Sequence, residues 1–216
     1  MLAPRFFVDA GRDADVMVWW HAATPEALQE AYTRLRLSMI AAERQRVLEI
    51  VEQARLADQV GLDVFGVGEH HRHEFAVSSP ELVLAAAAAR TEKIHLGTAV
   101  TVLSSDDPVR VYERFATLDA VSNGRAEIVA GRGSFTESFP LFGFDLGQYD
   151  QLFAEKFDLF TQLVADQGPV TWEGNVRSAL DKVTVYPTLE HGPLPTWLAV
   201  GGSPRSVVRS AQYGIP

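Results

Sequence analysis

Cysteine is absent from the 216 residues, and this excludes disulfides, thiolate metal sites and a cysteine nucleophile. Basic residues are also few: 19 lysines and arginines against 28 acidic residues leave a net charge of −9, which disfavours nucleic acid or an anionic membrane as a partner. No apolar run approaches the ~20 residues that span a bilayer, and the N-terminus lacks the basic-then-apolar pattern of a signal peptide. The expected location is therefore cytoplasmic.

Short apolar strands alternate with amphipathic helices along most of the chain. The predicted strands are 64–67, 94–103, 126–130 and 196–200. The helices expected before, between and after them span 47–60, 78–90, 107–123, 149–165 and 206–213. Continuous apolar strands separated by helices indicate a parallel sheet with helical crossovers. The segment 131–147 is predicted to be a glycine-bearing loop, and residues 169–195 an irregular stretch whose proline-rich part, 187–195, is a loop before a strand.

The βα alternation predicts an α/β fold of the TIM type, a (β/α) barrel that is incomplete. Four βα units are clear, and an N-terminal strand makes about five of the eight that such a barrel holds. Two stretches, 5–8 and 16–20, compete for that strand, and residues 1–40 are otherwise poorly assigned by their pattern. No interdomain linker is evident, so we expect a single domain over 1–216, truncated at its C-terminus.

A run of histidines and glutamates, residues 69–74, directly follows the strand at 64–67. In parallel βα folds, functional residues gather at the C-terminal ends of strands. A metal is the first candidate ligand, but HExxH zinc sites place histidines four residues apart on a helix, whereas these lie at i, i+1 and i+3. We therefore expect no metal. Two interpretations stay open: solvated loop residues with one hydrogen-bonded histidine, or a histidine that exchanges a proton beside a cofactor.

Two glycine-bearing turns also follow strands. In the turn 131–133, glycines let a ligand approach the backbone and Arg132 is able to pair with a phosphate or an anionic ring. In the turn 201–206, free backbone N–H groups meet the positive end of a helix dipole, which favours a phosphate. The plain alternatives are a tight turn with a surface arginine and simple helix capping by Ser203.

These three segments, taken with the runs 97–103, 107–110 and 118–125 between them, resemble the bacterial-luciferase-like flavin-dependent monooxygenase family. The resemblance covers about residues 45–216. The relatives that look most similar are uncharacterised oxidoreductases that share the segment 131–140. The last three βα units of the family have no counterpart before Pro216, and in the family they help to close the barrel.

The resemblance implies an enzyme that uses FMN, reduced by a separate reductase, together with O2 to oxidise an unknown small organic substrate. His70 matches the active-site histidine near the reactive face of the flavin. The strand end at Ala99 often carries a non-proline cis peptide in the family. The positions that match cofactor-binding residues are Ala99 and Val100 along the flavin ring, Gly131 and Arg132 beside the ring and phosphate, and Gly202, Ser203 and Ser206 in the phosphate-binding turn.

Other functions are compatible with the same resemblance. One is a deazaflavin-dependent oxidoreductase that transfers hydride without oxygen, and another is a non-catalytic flavin-binding protein. A third is a fragment that needs a partner chain to complete its core. Relatives often pair through barrel helices, so a homo-oligomer, dimer or higher, is expected.

Overall fold

The computed structural model describes residues 6–7, 19–20, 43–165, 168–201 and 204–216. The chain divides into two compact units, Met1–Ala99 and Val100–Pro216. The boundary falls inside one strand, His95–Val102.

The first unit contains the first two predicted helices and the strand between them. Its elements are β1 (Phe6–Phe7), β2 (Trp19–Trp20), α1 (Glu43–Gln59), β3 (Val64–Val67), α2 (Pro80–Ala88) and the beginning of β4 (His95–Val102). Strand β3 pairs in parallel with β4, as the βα alternation predicts. The two candidate N-terminal strands pair with each other in antiparallel fashion.

Helix α1 buries one apolar side, which includes Ile50 and Ala54, and the chain turns at Gly61 with a φ of +80°. The carboxylate of Asp58, near the end of α1, accepts hydrogen bonds from three successive backbone N–H groups at 92–94, at 2.7 to 2.9 Å. The same residue therefore secures the end of a helix and the turn that leads into β4.

The second unit contains the remaining βα units and one hairpin. Its elements are the end of β4, a 3-10 turn (Leu103–Ser105), α3 (Pro108–Ser122), β5 (Ala126–Gly131), α4 (Ser138–Phe142), a 3-10 turn (Leu146–Gln148), α5 (Tyr149–Ala165), β6 (Val170–Trp172), β7 (Leu180–Val183), β8 (Thr196–Leu198) and α6 (Pro204–Tyr213). Strands β5 and β8 pair in parallel, with Ile128 opposite Thr196 and Ala130 opposite Leu198.

The ends of α3 follow from three residues that the sequence marks. Asp107 caps the helix by accepting the N–H groups of the next turn at 2.9 and 3.3 Å, and Pro108 occupies the first turn, where a missing N–H costs nothing. Asn123 ends the helix in the left-handed conformation. The predicted helix at 107–123 is confirmed.

Helix α5 supplies much of the core of the second unit through buried aromatic side chains. Phe153 and Phe157 stack with ring centroids 5.4 Å apart, and the ring of Tyr213 from α6 meets Phe157 edge-on at 5.3 Å. The Tyr213 hydroxyl also donates to Asp158 at 2.9 Å. Helix α6 thus contacts α5 through an aromatic pair, a hydrogen bond and the guanidinium of Arg209, which lies 5.4 Å from the ring centroid of Phe153.

Two regions differ from the prediction of loops. Strands β6 and β7 form an antiparallel hairpin, and α4 lies within the segment 131–147. Both strands are four residues or shorter, and their pairing contains an irregularity between Val170 and Trp172, so period-two alternation is too brief to identify them. Of the helices within the described ranges, none has the length and apolarity that a bilayer crossing requires.

Candidate functional site

The turn that follows β3 fixes the position of His70. Its backbone N–H donates to the carbonyl of Val77 at 3.0 Å, and its ring stacks on Phe75 with centroids 3.8 Å apart. A Cβ placed on Gly68 would lie 3.5 Å from His70 Nε2 and 3.6 Å from the carbonyl oxygen of Ala99. The first unit therefore brings His70 and the carbonyl oxygen of Ala99 close to Gly68.

The neighbouring histidines, His71 and His73, differ in burial and in their hydrogen-bond partners. His71 Nε2 lies 2.8 Å from Glu69 Oε1, and both side chains are more than 90 % buried. His73 is 91 % exposed and faces Glu74 at 3.3 Å. In the part of the chain that the structure describes, no group of three histidine or acidic side chains is arranged to hold a metal ion. His71 is thus hydrogen-bonded to Glu69 through its imidazole ring.

The C-terminal end of β4 contains Ala99, which is buried, and Val100, which is partly buried. Their peptide bond is trans, because the one cis bond among the described residues is Tyr186–Pro187. The cis peptide that the resemblance implies at this strand end is thus not present.

In the second unit the turn after β5 packs directly against the end of β4. A Cβ on Gly131 would approach the side chain of Val100 to 2.6 Å, and one on Gly133, whose φ is +79°, would approach Val102 to 2.8 Å. No side chain fits at either position without displacing β4. Val100 and Gly131, both predicted cofactor-binding residues, are therefore in contact range.

Arg132 is positioned by the starts of two helices. Its Nη1 donates to Asp150 Oδ1 at 3.0 Å, and its Nη2 reaches Ser206 Oγ at 3.4 Å, a long hydrogen bond. The guanidinium lies 5.5 Å from the ring centroid of Tyr149, whose hydroxyl donates to the Gly133 carbonyl at 2.8 Å. Burial raises the pKa of the Tyr149 hydroxyl despite the opposing effect of Arg132, so this donor stays protonated at neutral pH.

Ser206 lies in the first turn of α6, and its side chain is 3 % exposed. The structure brings it to Arg132 across 74 positions of sequence. Gly202 and Ser203 lie outside the described residues. Sequence reasoning missed Tyr149 and Asp150, because a tyrosine followed by an acidic residue at the start of a helix is common and carries no functional signal.

Lys156 is a buried cation in the same unit that the sequence did not reveal. Its side chain is 2 % exposed, its Nζ donates to the carbonyl of Ser104 at 2.7 Å, and it lies 3.7 Å from the ring centroid of Phe144. Burial lowers the pKa of Lys156 to about 8, against the opposing effect of Asp106 and Asp107. The lysine thus contacts both the 3-10 turn that follows β4 and the loop that follows α4.

The lowered pKa of Lys156 predicts a pH-dependent contribution to stability. Below pH 8 the lysine is charged in both the folded and the unfolded chain, so the cost of burying it is fully present. Between pH 8 and 10 the folded chain releases this proton while the unfolded chain, with a pKa of 10.5, retains it, so the free energy of unfolding rises with pH. We expect Lys156→Met to remove a rise of about 2 kcal/mol, measured by urea denaturation across this range.

The matched control for this experiment is Lys93→Met, which removes an exposed lysine. It should preserve the rise of the unchanged chain between pH 8 and 10. An identical pH dependence in the Lys156→Met variant would show that this lysine titrates normally in the folded chain.

The family model for luciferase-like monooxygenases matches residues 37–216. The chain belongs to this family. Among curated luciferase-like relatives, 4-hydroxyprotoasukamycin monooxygenase of Streptomyces nodosus subsp. asukaensis is 33 % identical over 166 residues, which are 76 % of this chain and 44 % of the relative. The chain thus spans about half the length of the curated relatives it matches.

Solved structures agree with the luciferase-like assignment and with the TIM-barrel type of fold. The monooxygenase RslO1 from Streptomyces bottropensis superposes with a TM-score of 0.74 at 28 % identity, over 81 % of this chain and 53 % of that one. A secondary alcohol dehydrogenase that depends on F420 superposes with a TM-score of 0.67 at 26 % identity, over 78 % of this chain and 52 % of that one. The fold predicted from the βα alternation is confirmed, as a barrel that these residues do not close.

Proposed function

We propose that this chain carries the flavin-binding residues of an FMN-dependent monooxygenase. Reduced FMN, supplied by a separate cytoplasmic reductase, and O2 are its co-substrates, and a small organic molecule is oxidised. The observation that supports this most directly is the convergence of Arg132 and Ser206 at the ends of two parallel strands and the start of α6. Membership of the family of luciferase-like monooxygenases is the basis for proposing a monooxygenase reaction.

The donor set around Arg132 fits a phosphate. A guanidinium has five N–H donors in a planar fork, and only one of them is needed for Asp150. The Ser206 hydroxyl accepts from Arg132, which leaves its own proton to donate to an anion. Backbone N–H groups of the first turn of α6 and the helix dipole add to the attraction for negative charge. We assign Arg132, Gly131 and Ser206 to the phosphate-bearing part of the cofactor, with Gly202 and Ser203 proposed beside them.

In the first unit, His70 is the residue we propose for proton transfer. Bound reduced flavin would supply the electrons that activate oxygen, which is chemistry that no side chain provides. His70 would hold or move a proton at Nε2, and its stacking on Phe75 fixes the plane of the imidazole. The end of β4 at Ala99, whose carbonyl oxygen lies near the same point, would line the flavin ring.

The phosphate assignment predicts a selective loss of affinity. We expect Arg132→Met combined with Ser206→Ala to weaken FMN binding about 10- to 100-fold, because charge-assisted hydrogen bonds contribute about 1.5–3 kcal/mol. Riboflavin, which lacks the phosphate, should bind the variant and the unchanged chain equally. Both affinities are measured by quenching of flavin fluorescence.

Arg110→Met is the control, because Arg110 lies on the exposed side of α3 and pairs with Glu113. It should leave both affinities unchanged. Equal weakening of FMN and riboflavin by the Arg132/Ser206 variant would mean that these residues shape the fold of the site rather than hold the phosphate.

Oxygen uptake tests the reaction class. A flavin reductase with NADH provides reduced FMN, and uptake is followed with aldehydes, alkanes, sulfonates and xenobiotics as candidate substrates. The proposal requires uptake that depends on reduced FMN, together with an oxygenated product. Uptake that yields only hydrogen peroxide with every substrate would support a non-catalytic flavin-binding protein.

A deazaflavin-dependent hydride transfer is the second candidate, and the similarity to the F420-dependent dehydrogenase favours it. This reaction needs no oxygen. Tighter binding of F420 than of FMN, with alcohol oxidation under anaerobic conditions, would select it over the monooxygenase.

A further inference from the structure

We propose that Asp150 weakens the hold of Arg132 on the FMN phosphate, so that the flavin exchanges rather than staying bound. The inference rests on the proposed function, because it assumes that the phosphate lies at Arg132 and Ser206. It assigns a role to a residue that neither the sequence pattern nor the resemblance singles out.

The geometry gives Asp150 direct access to the guanidinium. Its Oδ1 lies 3.0 Å from Arg132 Nη1, and it is the second residue of α5. The two side chains differ in exposure: Arg132 is 24 % exposed and Asp150 is 69 % exposed. The arginine is therefore largely buried, whereas the aspartate contacts it from the solvent side.

The Arg132–Asp150 pair has no net charge with which to attract a dianion. A phosphate monoester carries between −1.5 and −2 charges at pH 7. Arg132 contributes one positive charge, Asp150 cancels it, and Ser206 is neutral. The positive end of α6 adds to the attraction for an anion. Removing the charge of Asp150 would give the phosphate an unopposed guanidinium with the same hydrogen-bond donors.

A weakened phosphate site suits a flavin that is a co-substrate. In the proposed reaction, reduced FMN arrives from another protein and oxidised FMN must leave before the next turnover. Affinity differences between related sites lie mostly in the dissociation rate. Asp150 would therefore act on flavin release.

The experiment compares Asp150→Asn with the unchanged chain, using FMN and riboflavin as ligands in fluorescence titrations. The expected result is about threefold to tenfold tighter FMN binding at low salt, with a smaller gain at high salt because an exposed charge is screened. Riboflavin affinity should not change, and stopped-flow displacement should show slower FMN release. Asp150→Glu, which keeps the negative charge, should bind FMN with the affinity of the unchanged chain.

Glu173→Gln controls for net charge, because it removes an exposed carboxylate just after β6. It should bind FMN as the unchanged chain does.

Weaker FMN binding by Asp150→Asn would show that Asp150 positions Arg132 instead, and an equal gain for riboflavin would also overturn the inference. If the unchanged chain shows no preference for FMN over riboflavin, the phosphate assignment fails together with the inference. An unaltered FMN affinity in the Asn variant, with that preference intact, refutes the inference alone.

Discussion

Replacing His70 with alanine should lower product formation by about 100-fold or more while the affinity for FMN changes little. A positioned acid or base contributes between about 10² and 10⁴ in rate. The proposed role draws on three features of His70: a backbone hydrogen bond to Val77, a ring that stacks on Phe75, and a position near the carbonyl oxygen of Ala99.

The measurements for His70→Ala are the rate of product formation and the product formed per reduced FMN oxidised, with flavin affinity determined in parallel. His73→Ala is the matched control, because that histidine is almost fully exposed and should be dispensable. Full coupling in the His70→Ala variant would remove the histidine from the reaction. A loss confined to flavin affinity would make it a binding residue.

Replacing Phe157 with alanine should lower the free energy of unfolding by about 3–5 kcal/mol. The ring is completely buried, and it lies between Phe153 on its own helix and Tyr213 on α6. Alanine leaves a cavity between two helices that can close only if α6 moves. Urea denaturation measures the loss, and hydrogen exchange of the α6 amides should accelerate.

Phe142→Ala removes the same number of atoms from a side chain that is half exposed. Surface substitutions usually change stability by less than about 0.5 kcal/mol, so this control separates the cavity from the general effect of losing a phenyl ring. A similar loss in both variants would mean that α5 and α6 do not depend on this contact.

Helices α3 and α5 could be predicted because their signals are local. Asp107, Pro108 and Asn123 mark both ends of α3, and the apolar spacing of α5 extends over its full length. The β6–β7 hairpin could not be predicted. Its strands are short, one of them contains Lys182 with a φ of +51°, and their pairing is set by tertiary packing.

The same difference between local signals and tertiary packing determines which residues of the candidate site could be predicted. The glycine-bearing turns and the histidine run are visible because they follow apolar strands, and Arg132 and Ser206 do come together. The pattern alone did not separate His70 from His71, because the stacking of His70 on Phe75 and the buried contact of His71 with Glu69 are visible only in the structure. Asp150 and Lys156 were missed, because an acidic or basic residue on a helix is ordinarily a solvated one.

The carboxylate of Asp58 constrains which parts of the chain can vary. It accepts hydrogen bonds from three main-chain N–H groups of the turn before β4. Substitutions at Glu92 and Lys93, whose side chains are exposed, are therefore compatible with the same turn, with the exception of proline, which has no N–H to donate. One aspartate, located 34 residues upstream of Glu92, thus holds the entry into the strand independently of the side chains that the turn exposes.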